Sequence, residues 1–208
     1  MPLDGGSDQV WAPPDTTARI GPNAVLQLLT VLEEEGGPTL AAHILALAGI
    51  FDLPPETGMI DERPVARIHQ ALRRDMPNRA PRLAWAAGEA TANYIIANRI
   101  PRFARLVLRA LPPGPSSRML TKAIRKNAWT FMGSGDFRVL STRPLVFEIE
   151  NNPVVRGEHA EAPICFWHMA VFETLFRRLV APDYTARETR CCACGALACR
   201  FELTRIPL

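Results

Sequence analysis

Apolar residues recur every three or four positions through about the first two thirds of the chain, and this is the spacing of one face of a helix. The pattern predicts six helices, which lie at 22–35, 39–51, 62–74, 80–98, about 101–111 and about 116–128. The first of them ends at Gly36-Gly37, which is a C-terminal stop signal. The second is apolar on almost every side, which favours burial in the core.

The fifth predicted helix has two chemically different faces. Pro101 opens it, and Pro112 and Pro113 close it. The apolar face is formed by Phe103, Leu106, Val107 and Leu111, and the basic face by Arg102, Arg105 and Arg109. The pattern therefore predicts a short amphipathic helix with arginines along one side.

The period changes after Gly133-Ser134-Gly135. Short β-prone runs at 137–141 and 145–149 predict a hairpin. A strongly apolar helix at 165–180 follows, and then two strands, at 184–192 and 198–204, which are joined around Gly195. The order strand, strand, helix, strand, strand predicts an α+β fold, in which helices pack on a small antiparallel sheet.

Composition indicates one folded domain. The chain has 208 residues, of which 48% are hydrophobic and 22% charged, as in ordinary globular proteins. We predict a single domain over 21–208 and a flexible N-terminal arm over 1–20, where Gly5-Gly6-Ser7 and Pro13-Pro14 interrupt any apolar period. The longest apolar run, 40–51, is too short to span a bilayer, and no secretory signal is found. A cytoplasmic location is therefore predicted.

The cysteines are concentrated near the C-terminus. Cys191, Cys192, Cys194 and Cys199 lie close together, while Cys165 lies upstream. An odd number of cysteines without an export signal favours reduced thiols or metal ligation over disulfides. Three kinds of zinc site fit the spacing, and they use the Cys191-x-x-Cys194 pair with Cys165 and Cys199, a Cys165–His168 pair, or Glu188 as an oxygen donor. Metal-free, buried cysteines are the alternative.

The segment 144–204 resembles the signature of the 4-vinyl reductase (4VR) domain, in which a Cys, a Glu and two Cys flanking a glycine turn recur. The resemblance implies a structural zinc site formed by Cys165, Glu188, Cys191 and Cys199, with Cys192 and Cys194 as spare thiols. Residues three apart on a regular strand point to opposite faces. Glu188 and Cys191 can therefore converge only if the strand bulges or ends between them.

The charge of the chain is unevenly distributed. The net charge of +3 is too small to indicate nucleic acid as a partner, but no Asp or Glu occurs from Ala90 to Gly135. The basic residues of this span are Arg99, Arg102, Arg105, Arg109, Arg118, Lys122, Arg125 and Lys126. The span is predicted to attract an anionic ligand, an acidic partner protein or anionic lipid headgroups, although a solvated surface is the simplest alternative.

Further segments resemble the bacteriochlorophyll-pathway members of the 4VR family, which are customarily labelled 4-vinyl reductases. These segments are 93–101, 128–135, Asn152-Pro153 and 165–168. The label implies reduction of a vinyl group on a Mg-tetrapyrrole. The sequence has no Gly-x-Gly-x-x-Gly between a strand and a helix, and once the zinc site is filled no cysteine pattern remains for an iron-sulfur cluster.

Residues suited to binding a Mg-porphyrin as a ligand are easier to find. Aromatic candidates for the ring faces are Trp85, Trp129, Phe131, Phe166 and Trp167. Arg102, Arg105 and Arg125 are candidates for the propionates, and His43 or His168 for the axial bond to magnesium. Each aromatic residue and histidine has an alternative role as a core residue.

We therefore predict a carrier or assembly factor that binds a Mg-tetrapyrrole and passes it between pathway enzymes such as magnesium chelatase and the following methyltransferase. Reduction of the vinyl group is a second hypothesis, and a small-molecule-sensing regulatory module is a third. The resemblance also implies a homodimer. Peripheral contact with the photosynthetic membrane is compatible with the basic span.

Overall fold

The structure, a computed structural model, describes residues 18–206. This range contains six α-helices, which are α1 (Asn23–Leu47), α2 (Arg63–Asp75), α3 (Ala80–Asn98), α4 (Arg102–Ala110), α5 (Pro113–Lys126) and α6 (Phe166–Leu179). It also contains six β-strands, which are β1 (Arg19–Ile20), β2 (Ile60–Asp61), β3 (Asp136–Thr142), β4 (Leu145–Glu150), β5 (Tyr184–Arg190) and β6 (Ala198–Arg205). None of the described helices has the length and apolar character needed to cross a bilayer.

The main sheet has four antiparallel strands in the order β3-β4-β6-β5. β3 and β4 form the predicted hairpin, in which Phe137 pairs with Ile149. The chain then forms α6 before it returns to the sheet as β5 and β6. The predicted α+β class is confirmed, because the alternation of apolar residues in each of these strands indicated one buried face.

A second, two-stranded sheet was not predicted. In it β1 pairs with β2, with Arg19 opposite Asp61 and Ile20 opposite Ile60. Strands of two residues are too short to show a period of two, so the pattern could not indicate them. The predicted arm over 1–20 otherwise lies outside the described residues.

Helix α1 contains both of the first two predicted helices. The backbone leaves helical geometry only at Gly36 and Gly37, where Gly37 has φ of 74°. A glycine tolerates this left-handed value, and Pro38, which lacks an N–H, suits the first turn of the helical stretch that follows. Of this second stretch only one side is buried, and Leu47 is 54% exposed. The predicted burial on every side is therefore wrong.

The core is centred on α6. This helix contacts α3 as well as β5 and β6, and most of its residues are buried. Phe172 of α6 packs edge-on against Phe147 of β4, with ring centroids 5.1 Å apart. On α3, Gly88 faces the backbone of Trp167, so that the two helices approach closely. The first residue before α6, Cys165, is thereby held against the end of the sheet.

Candidate metal centre

Three structural elements bring Cys165, Glu188, Cys191 and Cys199 together. Cys165 precedes the first turn of α6, Glu188 lies on β5, Cys191 follows the last residue of β5, and Cys199 lies on β6. The register of β5 against β6 shifts between Glu188 and Arg190, and β5 ends at Arg190. The bulge and the strand end together meet the condition that the sequence set for Glu188 and Cys191 to point the same way.

The spacing of the sulfur atoms fits a tetrahedral metal site. The Sγ atom of Cys165 lies 3.4 Å from that of Cys199 and 3.9 Å from that of Cys191, and the Sγ atoms of Cys191 and Cys199 are 4.0 Å apart. Zinc–sulfur bonds of about 2.3 Å in tetrahedral geometry place the sulfurs about 3.8 Å apart. One ligand atom from each of the four residues lies within 4.8 Å of the others, and all four residues are buried.

The carboxylate of Glu188 has one oxygen that lacks a partner. Its Oε2 accepts a hydrogen bond of 2.8 Å from the backbone N–H of Cys165. Its Oε1 is buried and has no hydrogen-bond partner within residues 18–206. Burial raises the pKa of Glu188 to about 8. Because a buried carboxylate oxygen without a partner is costly, a cation at this position would remove a penalty that the protein alone leaves unmet.

The three thiols also indicate a cation. Burial raises the pKa of Cys165, whereas hydrogen bonds from Cys165 and Cys199 lower the pKa of Cys191. Adjacent thiols resist simultaneous ionisation because each thiolate repels the next. A divalent metal reverses this, since it binds thiolates and favours their deprotonation. The donor set therefore fits a thiophilic divalent ion.

Neighbouring groups hold the sulfur ligands in position. The side-chain amide of Asn152 donates to Cys165 Sγ over 3.4 Å, and the backbone N–H of Cys192 donates to Cys199 Sγ over 3.3 Å. Such contacts orient ligands and moderate the charge on them. Asn152 is itself fixed, because its Oδ1 accepts a hydrogen bond from the N–H of Val154.

The spare cysteines lie outside the four-residue cluster. Cys192 is half-buried and its thiol points toward the carbonyl of Leu197. Cys194 is exposed and lines an open depression with His159 and Glu161. Within the described part of the chain, the only group of ligand atoms of this kind contains neither Cys194 nor His168. The structure thus favours the Glu-containing set over the two alternatives.

Comparisons with known proteins agree with this geometry. A family model of the 4VR domain matches residues 145–205, which contain the whole cluster. Over 190 residues the chain is 55% identical to the bacteriochlorophyll synthase 23 kDa chain of Cereibacter sphaeroides, covering 91% of this chain and 92% of that one. The corresponding chain of Rhodobacter capsulatus is 48% identical over 192 residues, with coverages of 92% and 90%. This chain belongs to the 4VR-domain family of these two relatives.

The fold of this 4VR-domain chain also has a counterpart among solved structures. An H-NOX protein from S. oneidensis, in its Fe(II)NO ligation state, aligns over 89% of this chain and 99% of its own length. The TM-score is 0.58 and the sequence identity is 12%. At this identity the likeness shows a shared fold alone.

Three of the candidate ligand-binding residues of this 4VR protein converge in the core. The ring of His168 lies 4.8 Å from that of Trp167 and 6.3 Å from that of Phe131, measured between centroids. His168 is 1% exposed, its Nε2 has no hydrogen-bond partner in the described range, and burial lowers its pKa to about 3. A ligand reaches this histidine only if α6 separates from its neighbours.

The other candidates lie nearer the surface. His43 is exposed on α1 and pairs with Asp75 of α2 over 3.1 Å, so its alternative role as a core histidine is wrong. Trp129, in the 3-10 turn that follows α5, is 54% exposed. The remaining candidates are Arg102 and Arg125, which are exposed, and Arg105, Trp85 and Phe166, which are half-buried. The structure therefore divides the predicted ligand-binding set into an interior group and a surface group.

One buried histidine was missed by the sequence reasoning. His69 of α2 is fully buried, and its Nε2 lies 3.2 Å from the carbonyl oxygen of Ala24. Its ring meets Trp167 edge-on, with centroids 6.3 Å apart. The signal was present, because His69 follows Val65 by four residues and so lies on the same apolar face of the helix.

Proposed function

We propose that this chain binds a Mg-tetrapyrrole intermediate of bacteriochlorophyll synthesis and carries it between pathway enzymes, and that a structural zinc ion stabilises its fold. The observation that carries the proposal is the closed geometry of the cluster, in which four protein donors surround one point in the core. Such a site leaves no coordination position for a substrate. The names of the two relatives support the pathway.

Zinc would be held by the thiolates of Cys165, Cys191 and Cys199 and by Oε1 of Glu188. When bound, it supplies a cross-link and no reactive water, because every ligand comes from the protein. The cross-link would join the start of α6 to the ends of β5 and β6. Its free energy of binding would then add directly to the stability of the fold.

The tetrapyrrole would contact the surface group of candidate residues. Trp129 offers an exposed ring face, and Arg125 lies four residues earlier, at the end of α5. A flat apolar macrocycle with carboxylates on one edge matches an aromatic ring beside a guanidinium group. His43 is the axial candidate that a ligand reaches without rearrangement of the core. Magnesium chelatase and the following methyltransferase are the proposed donor and acceptor enzymes.

The test is a titration of the purified protein with Mg-protoporphyrin, followed by absorption spectroscopy. We expect saturable binding, and we expect Trp129→Ala with Arg125→Gln to weaken it at least tenfold. Leu53→Ala, which alters an apolar residue that is 63% exposed elsewhere on the surface, is the matched control and should bind normally. Absence of binding by the wild-type protein would overturn the proposal.

A second arm of the experiment distinguishes a carrier from a reductase. A vinyl-bearing chlorophyllide precursor is incubated with the protein and with NADPH or reduced ferredoxin. We expect a spectrum of bound ligand that does not change with time. A vinyl-to-ethyl shift that requires only the protein and the reductant would contradict the carrier role and support the enzyme hypothesis.

A further inference from the structure

Helix α4 exposes large apolar side chains on its outer side. Phe103 is 77% exposed and Leu106 is 66% exposed, whereas Leu108 is the buried residue of this helix. Phe103 and Leu106 are three residues apart, so they lie on the same face. On the neighbouring α5, Met119 is 37% exposed. The predicted apolar face of this amphipathic helix therefore meets solvent instead of the core.

The same surface carries positive charge that the protein does not neutralise. Eight basic side chains occur between Ala90 and Gly135, and this span has no acidic residue. None of the eight forms a salt bridge with a residue in the range 18–206. Arg109 donates to the carbonyl oxygen of Arg178 over 3.1 Å and so fixes α4 to the end of α6. The apolar side chains thus project from a rigidly held, basic surface.

We propose that α4 and α5 dock the protein on an anionic lipid surface, with Phe103 and Leu106 inserted between the headgroups. Helix α4 has nine residues and is about 14 Å long, so it can lie in the plane of the interface. Lys and Arg side chains can extend along apolar surface while their charged ends stay at the level of the lipid phosphates. This inference is independent of the tetrapyrrole proposal.

A lipid surface explains these features better than a protein partner does. A symmetric dimer through this face would place the basic surface of one copy against that of the other, which is repulsive. Phe103 and Leu106 protrude with most of their surface in solvent. Protruding apolar side chains flanked by cations suit a deformable headgroup layer, whereas a protein partner must offer a preformed pocket for each of them.

A second exposed apolar pair provides an internal control. Phe51 is 87% exposed and Leu53 is 63% exposed, and both lie in the segment between α1 and β2. Acidic residues accompany them, since Asp52 lies between the two and Glu56 follows. Anionic lipid should repel this pair although its apolar area is similar. The two pairs therefore separate the effect of apolar exposure from that of charge.

The experiment is co-sedimentation of the full chain with vesicles of phosphatidylglycerol and phosphatidylcholine, without tetrapyrrole. We expect binding to mixed vesicles, little binding to pure phosphatidylcholine, and weakening as sodium chloride rises from about 0.1 to about 0.5 M. Phe103→Ser with Leu106→Ser should lower the partition coefficient at least tenfold, and Lys122→Gln with Lys126→Gln should lower both binding and its salt dependence. Phe51→Ser with Leu53→Ser should leave binding unchanged.

Several outcomes would overturn the membrane proposal. These are no binding to anionic vesicles, equal binding to neutral ones, and an equal loss in the Phe51 and Leu53 control. A dimer that dissociates when Phe103 and Leu106 are replaced would assign the surface to a second copy. Saturable binding of an acidic protein with no vesicle binding would assign it to a protein partner. Circular dichroism and thermal melting confirm that each variant is folded before it is compared.

Discussion

The Cys/Glu cluster and the exposed face of α4 place side chains in environments opposite to those they usually occupy. In the cluster, ionisable thiols and a carboxylate lie inside the core, within 4.8 Å of one another. On α4, Phe103 and Leu106 lie in water beside unpaired cations. The cluster needs only an ion to complete it, whereas the α4 face needs another surface. The contrast assigns stability to the first region and recognition to the second.

The largest effect should follow from the loss of a metal ligand. Cys199→Ser is expected to abolish stoichiometric zinc binding and to lower the free energy of unfolding by at least about 3 kcal/mol, because a structural metal contributes its binding free energy to folding. Zinc analysis and urea unfolding provide the measurement. Cys194→Ser, at an exposed cysteine five residues earlier, should retain zinc and change stability by less than about 0.5 kcal/mol. Equal effects of the two substitutions would break the assignment.

Two phenylalanines sharpen the comparison between core and surface. Phe172→Ala should destabilise the protein by about 3–5 kcal/mol, because Phe172 is 1% exposed and packs among other aromatic rings. Phe103→Ala should change the free energy of unfolding by less than about 0.5 kcal/mol, since Phe103 is 77% exposed. Thermal and urea unfolding measure both. A large loss at Phe103 would mean that α4 packs inward and would remove the basis of its docking role.

Two glycines compare close helix packing with an open position. A Cβ atom on Gly88 of α3 would lie 2.7 Å from the Cβ of Ala170 and would collide with the backbone of Trp167. Gly88→Ala should therefore cost about 1–3 kcal/mol. Gly114→Ala, at the start of α5, meets only ordinary contact and should be neutral or stabilising by up to about 1 kcal/mol. Chemical unfolding would contradict the packing of α3 on α6 if Gly88→Ala were silent.

The smallest predicted effect concerns pH. Burial, followed by the charge of Arg73, lowers the pKa of His69 from 6.5 to about 3. The unfolded state therefore takes up a proton first, and the contribution of His69 is complete above pH 6.5 and falls as the pH drops from there toward 3. His69→Gln, which preserves a donor toward Ala24, should lose about 1 kcal/mol less stability between about pH 7 and about pH 5.5 than the wild type does. Identical pH profiles would contradict the burial of a neutral imidazole.

The fold could largely be predicted because apolar period and turn residues specify each long element locally. The hairpin and α6 were predicted to within a few residues. The metal-ligand candidates could be found because thiols at these intervals, together with the 4VR resemblance, restrict the choice. The convergence of Glu188 and Cys191 needed the register of β5, which no local pattern encodes.

Long-range contacts could not be predicted. Glu62 is 4% exposed because its carboxylate accepts hydrogen bonds from the backbone and hydroxyl of Ser134, and its sequence context resembles that of a solvated helix start. The outward direction of Phe103 was equally hidden. The apolar period of α4 indicates that one face differs from the other, but it does not say whether the core or another surface covers the apolar one.

Zinc-edge X-ray absorption spectroscopy of the purified wild-type protein tests the central claim most directly, because it counts the donors around the metal. The account predicts one zinc ion per chain with three sulfur neighbours and one oxygen neighbour, and no change when tetrapyrrole is added. A site with four sulfurs would exclude Glu188. An absence of zinc, or an oxygen neighbour that tetrapyrrole or inhibitor anions displace, would contradict a closed structural site.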